Sequence, residues 1–267
     1  MRLFAKKSLG QHFLNSTHVL DQIISAATLQ KGEAVLEIGP GTGILTRALL
    51  AMGAQVTAVE KDARAIELLK DSFKDDILAG NLKLIEGDIL EMTAETLAAS
   101  PYSLVPASYS LVANIPYYIT GAILEKFLEH GPRPDRMVLL VQKEVAERIV
   151  TRDGKESILS ISVKAFGTPK LVAKVPPGAF TPPPTVDSAI LSITDISDRL
   201  FREKNTDISR FFKVVKAGFA HKRKFALRNV EAALEKESAV AVWTKAGLDP
   251  KIRAEDITIP DWFTIAS

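Results

Sequence analysis

The chain has 267 residues, 46% of them hydrophobic, enough for one large α/β domain with an appendage or for two modest domains, with no need of covalent staples. It has no cysteine, which excludes disulfides and thiolate metal sites, and its four scattered histidines lack ligand spacing, so no metal is expected. The net charge of +2 hides an uneven distribution: residues 201–228 hold nine Lys or Arg against Glu203 and Asp207, and the first twelve residues add three more bases with no acid.

In chain order, the basic N-terminal arm leads to Gln11-His12 and not to an apolar run, so it does not read as a secretory signal. No window of about 20 residues is free of charge, so no membrane span is expected and the cytoplasm is the default location. Asn15-Ser16-Thr17 reads as a helix cap, followed by Val19, Leu20, Ile23, Ile24 and Ala27 at helical spacing. Ala34–Ile38 then reads as a strand, Gly39, Gly41 and Gly43 as a tight turn, and Ile44–Leu50 as a helix. The pattern repeats with a strand at Gln55–Val59 and a helix over 62–73, where Ala63, Ile66, Leu69 and Phe73 share a face. Leu82–Ile85, Ser110–Ala113 and Met137–Val141 are further strands, with helical patterns over 119–130 and 143–150. This alternation predicts a largely parallel α/β sheet covered on both faces. Lys170–Val175 and Ser188–Ile193, separated by the proline-rich Pro176–Pro184, predict a hairpin-like return that closes the sheet antiparallel. Beyond residue 200 only helical patterns remain, over 207–219, 223–236 and 238–246. The expected domains are therefore 1–198 and a helical 199–267.

The glycine turn after the first strand lets backbone approach a ligand at the strand's carboxyl end. Its spacing, Gly39-x-Gly41-x-Gly43, lacks the third glycine of the dinucleotide fingerprint. Glu37 stands one residue before the end of the first strand, Glu60 at the end of the second, where it can accept from ribose hydroxyls, and Asp88 follows the third, where it can accept from an adenine amine. Three acids after three successive strands suit one nucleoside. With no lysine to grip phosphate, the set points to S-adenosyl-L-methionine rather than NAD.

Asn114-Ile115-Pro116-Tyr117 ends a later strand. The lone pair of an exocyclic aromatic amine is delocalised into its ring, so a site that methylates it must bias it toward tetrahedral geometry. The Asn114 side-chain oxygen and the main-chain carbonyl of Ile115 or Pro116 are the expected acceptors for its two protons. Tyr117 is expected to stack on the base, with Phe180 covering its other face. Tyr118 receives no role. The basic run Lys222, Arg223, Lys224 and Arg228 is expected to bind RNA.

Lys7–Asn15, Glu37–Gly43, Asn114–Tyr117, Val141–Val145, Phe180–Ser188 and Phe219–Asn229 together resemble the ribosomal RNA adenine dimethyltransferases across nearly the whole chain, most closely their bacterial small-subunit branch. The resemblance implies a Rossmann-like class I methyltransferase sheet of seven mostly parallel strands with a small helical C-terminal domain. It implies donor contacts at His12, Leu14, Gly39, Glu60, Asp88 and Asn114, with His12 standing where many relatives carry Asn. It further implies a monomer that dimethylates two adjacent adenosines in a hairpin loop near the 3′ end of 16S rRNA, in an assembling small subunit, leaving S-adenosyl-L-homocysteine. Three rivals share the scaffold: the antibiotic-resistance methyltransferase of 23S rRNA, a non-catalytic RNA- or DNA-binding factor, and a small-molecule methyltransferase, which would leave the basic terminal helices without a ligand. The Phe180–Ser188 run and the basic Lys222–Lys224 favour the small-subunit enzyme over the first. The intact donor and acceptor positions speak against the second.

Overall fold

The computed structural model describes residues 4–6, 9–98, 104–150, 154–221, 223–232, 234 and 236–267. Its strands are β1 (Phe13–Leu14), β2 (Ala34–Ile38), β3 (Gln55–Glu60), β4 (Leu82–Glu86), β5 (Ser110–Asn114), β6 (Arg136–Gln142), β7 (Thr168–Val175), β8 (Phe180–Thr181) and β9 (Ser188–Thr194). Seven form one sheet in the order β4-β3-β2-β5-β6-β9-β7, and β1 pairs with β8 in a separate two-stranded ribbon. The pairs β2–β3, β2–β5, β3–β4 and β5–β6 are parallel, whereas β9 runs antiparallel to β6 with Leu139 opposite Leu191. The expected α/β sheet and its antiparallel return are both present. The ribbon was not expected.

The central strands are largely apolar because helices cover both faces. All five residues from Met137 to Val141 are buried, as are Leu111, Val112 and Ala113. On one face Val35, Val56, Val112, Val138 and Ile190 pack with Val19, Ile23 and Ala27 of helix Thr17–Ala27 and with Leu45 and Leu49 of helix Ile44–Ala51. Each Val, Leu or Ile side chain among them contributes about 1.5–3 kcal/mol on burial. Ser16 caps the first helix by accepting from the Val19 N–H, and Asp62 caps helix Ala63–Ser72 by accepting from the Arg64 N–H.

The chain forms two compact units, residues 1–146 with 170–196, and residues 147–169 with 197–267. This division differs from a single boundary at 198/199. Within the second unit the reason is aromatic packing: Phe166, just past helix Ile158–Lys164, lies 4.8 Å from Phe201 and 6.0 Å from Phe212, ring to ring. That unit also holds helices Ile208–Gly218, Ala226–Val230, Lys236–Lys245 and Ile259–Ala266. Of the helix expected over 223–236 only Ala226–Val230 forms, and the next helix, Lys236–Lys245, is the one expected over 238–246. Phe225 stands extended as the cap of Ala226–Val230, and the Ala226 N–H is taken by the Ile252 carbonyl.

Candidate active site

The order β4-β3-β2-β5 sets Asp88, Glu60, the glycine turn and Asn114 side by side along one carboxyl edge. The sheet order reverses between β2 and β5, the point at which open α/β sheets form their binding crevice. Ile38 pairs with Ala113, so Gly39 and Asn114 leave adjacent strands together. A cavity opens there, bordered by Glu37, Gly39, Gly41, Glu60, Asp88 and Asn114 and by the arm residues Leu9–Leu14.

Gly39, Gly41 and Gly43 all have positive φ, at 67°, 56° and 81°, where L side chains are strained. The Gly39 N–H bonds to the Val59 carbonyl at 2.9 Å, fastening the turn to β3. A Cβ on Gly41 would come within 3.1 Å of the Phe13 ring, so the arm rests directly on bare backbone. Gly43 has a packing role instead: a Cβ there would fall 2.5 Å from Phe73 Cε2.

The three acids differ in environment. Glu37, 1% exposed, accepts from Thr46 Oγ1 at 2.7 Å; burial, eased by that bond, pushes its carboxyl up to about 8. Glu60 accepts from the Gly41 N–H at 3.0 Å and the Asp62 N–H at 2.8 Å, and burial outweighs these bonds to raise its pKa. Asp88 is also pushed up by burial, but the Lys61 ammonium at 2.6 Å and the Leu90 N–H at 2.9 Å together leave it below the ordinary value. Glu60 and Asp88 are thus oriented acceptors beside a side-chain-free turn, a donor set that fits the ribose and adenine of a nucleoside cofactor. Glu37 turns toward Thr46 and supports the turn from below.

Asn114 Nδ2 donates to the His12 carbonyl at 3.1 Å. This bond fixes which end of the amide is oxygen, and Oδ1 has no protein donor among the described residues. The Pro116 carbonyl accepts from the Ile119 N–H at 3.1 Å, closing the turn Tyr117–Ile119. Of the two main-chain acceptors expected for the amine, the Pro116 carbonyl thus already carries one bond. Tyr117 is half-buried, and its hydroxyl is bonded to Ser188 Oγ at the start of β9. The His12 ring lies nearly parallel to Tyr117, 6.0 Å away, and its Nδ1 bonds to the Pro182 carbonyl at 2.8 Å. The His12 side chain thus ties arm to proline loop.

Leu14 borders the cavity and pairs with Phe180 across the ribbon. Phe180 itself corrects the sequence reading. It is 2% exposed, packed in the core with Leu14, Val175 and Ala179, and does not border the cavity. A ring one position along a strand faces the opposite side, and the ribbon register turns this one inward. Lys222 lies outside the described residues. Arg223, Lys224 and Arg228 are exposed in the second unit, Arg228 being 3.5 Å from Glu231. Asn229 Nδ2 donates to the Gly218 and His221 carbonyls, at 2.7 and 3.2 Å, and holds the turn that carries the bases. Sequence reasoning assigned nothing to Phe13, Lys61 or Ser188, nor to Gln11, whose Nε2 donates to Asp62 Oδ2 at 3.1 Å. Gln11, Phe13 and Ser188 fall inside the family-like segments Lys7–Asn15 and Phe180–Ser188, which was the available signal.

A seven-stranded sheet with this order, opening its donor cavity against an Asn-x-Pro-Tyr turn, defines a class I methyltransferase. The particular kind follows from comparison: the model of the Ribosomal RNA adenine dimethylase family matches residues 3–267, and the chain belongs to that family. It is 43% identical over 262 residues to the Ribosomal RNA small subunit methyltransferase A of Dehalococcoides mccartyi, covering 97% of this chain and 87% of that one. Among solved structures it resembles a dimethyladenosine transferase from Plasmodium falciparum, 28% identical with a TM-score of 0.78, covering 95% and 96% of the two chains. The 23S rRNA methyltransferase ErmE is 25% identical with a TM-score of 0.72, covering 95% of this chain and 98% of its own. Among the described residues no helix is long and apolar enough to cross a membrane.

Proposed function

We propose that this chain dimethylates the exocyclic amines of two adjacent adenosines in a hairpin loop near the 3′ end of 16S rRNA, within an assembling small subunit. S-adenosyl-L-methionine, when bound, supplies an electrophilic methyl group on a sulfonium. Glu60 and Asp88 hold its ribose and adenine, with Gly39 and Gly41 admitting it close to backbone. The observation that carries the reading is the orientation of Asn114. Because Nδ2 is spent on the His12 carbonyl, Oδ1 is the free acceptor for one amino proton, and the Ile115 carbonyl takes the other. Those two bonds localise the nitrogen lone pair toward the donor side.

Tyr117, its hydroxyl anchored by Ser188, offers a fixed ring to an adenine drawn out of its stack. A monomethylated amine still has one proton for this clamp, so a second transfer is supported. No strong base is needed, since the nitrogen becomes acidic only as its new bond forms. Arg223 and Lys224 bind phosphates, a sequence-independent contribution. The greater identity to small-subunit relatives than to ErmE favours 16S over 23S rRNA. Asn114→Ala tests the clamp: kcat should fall about 10²–10³-fold, the order seen when one preorganised polar group is lost, with donor affinity changing only a few-fold. Unchanged kcat would remove Asn114 from the chemistry.

A further inference from the structure

The turn Tyr117–Ile119 carries two consecutive tyrosines with different fates. Tyr117 is half-buried and bonded to Ser188, whereas Tyr118 is 68% exposed. Successive side chains of a 3₁₀ turn diverge by about 120°, so the two rings cannot serve one base. Among the described residues Phe4, Tyr118 and Phe225 are the exposed aromatics, and of these Tyr118 borders the cavity. Its ring is supported: Gly10 lies so close that a Cβ there would be 3.1 Å from Tyr118 Cε1, with Pro116 Cβ 3.5 Å from the same point. The arm's glycine thus makes room for an aromatic ring that is buttressed yet open to solvent, next to the amine clamp.

We infer that Tyr118 is a stacking platform for the nucleotide adjoining the adenosine held by Asn114. This rests on the acceptor reading proposed above and deepens it. Extruding one of two adjacent adenosines strips its neighbour of a stacking partner, and an exposed ring beside the clamp replaces that partner. The platform has a base-stacking chemistry and is indifferent to sequence, because every base has a π-face. It gives one enzyme a means of holding one of two neighbouring adenosines while the other is methylated.

A thermodynamic cycle tests this. Undermethylated small subunits are reconstituted with rRNA that is intact or lacks the base at one of the two target positions, and transfer to the other position is measured. Tyr118→Ala should raise KM for intact subunits roughly tenfold, the usual scale for a lost stacking aromatic, while Tyr118→Phe keeps it. On subunits missing the neighbouring base, wild type should show the same rise and Tyr118→Ala no further one. Multiplying effects would overturn the inference. So would a weakened donor Kd at unchanged KM, which would assign the ring to the donor's roof beside Lys61. If wild type transfers nothing to intact subunits, the acceptor reading itself fails and takes this inference with it.

Discussion

Glu37 lies beneath the glycine turn with its carboxyl pushed up by burial to about 8, against 4.5 in an open chain. Between those values the unfolded chain has released this proton while the folded chain keeps it. The folded state therefore loses stability relative to the unfolded one as pH rises from about 4.5 to 8. Glu37→Gln should remove this share of the pH dependence: melting temperatures of variant and wild type, measured by calorimetry, should diverge across that window in favour of the variant. Parallel curves would show that Glu37 titrates normally. The Tyr117–Ser188 bond makes a second residue-level claim. Ser188→Ala and Tyr117→Phe should each raise KM for subunits by several-fold, and the double variant should add little, since both remove one bond. Full additivity would refute it. The strand-end turn that carries Asn114 and Tyr117 was legible because its four residues are contiguous. Ser188 was not, because its partner is 71 residues away and only the fold brings the hydroxyls together. Phe180 was misread for a related reason: a proline-rich context marks a rigid loop, yet the direction of a side chain depends on the register with Leu14.

At the scale of elements, the glycine turn separates two costs. Gly43 and Gly80 have similar positive φ, 81° and 77°, but a Cβ on Gly43 would strike Phe73 and Leu69 whereas one on Gly80 would meet nothing within 4 Å. Gly80→Ala should therefore cost only backbone strain, about 1 kcal/mol, and Gly43→Ala at least about 2 kcal/mol more, read by urea denaturation. Equal losses would mean that the helix at 63–72 yields freely. The parallel strands were legible because burial on both faces leaves short apolar runs punctuated by glycine and acid. The β1–β8 ribbon was not, since two-residue strands have no periodicity and pair across more than 160 residues. The shortening of the expected 223–236 helix to Ala226–Val230 was also hidden. The helical period continues through it, but Asn229 is committed to carbonyls at 218 and 221 and Phe225 to an extended conformation.

For the whole molecule, the helical periods beyond residue 200 foretold a helical C-terminal region, and the described residues of the second unit beyond 197 form helices joined by turns. Sequence did not show that 147–169 joins it, because the partners of Phe166 lie 35 and 46 residues further on, at Phe201 and Phe212. The exposed bases of this unit carry a salt-dependent expectation. Replacing Arg223 and Lys224 by Gln should weaken RNA binding and lower the slope of log K against log salt by about one for each phosphate no longer neutralised. An unchanged slope would assign these bases to a solvated surface. The central claim, that the cavity presents a methyl donor to adenine amines of small-subunit RNA, is tested by incubating the protein with labelled donor and either undermethylated small subunits or naked 23S rRNA, then mapping dimethyladenosine. Label is expected at two adjacent adenosines near the 3′ end of 16S rRNA. Label confined to 23S rRNA would contradict the claim.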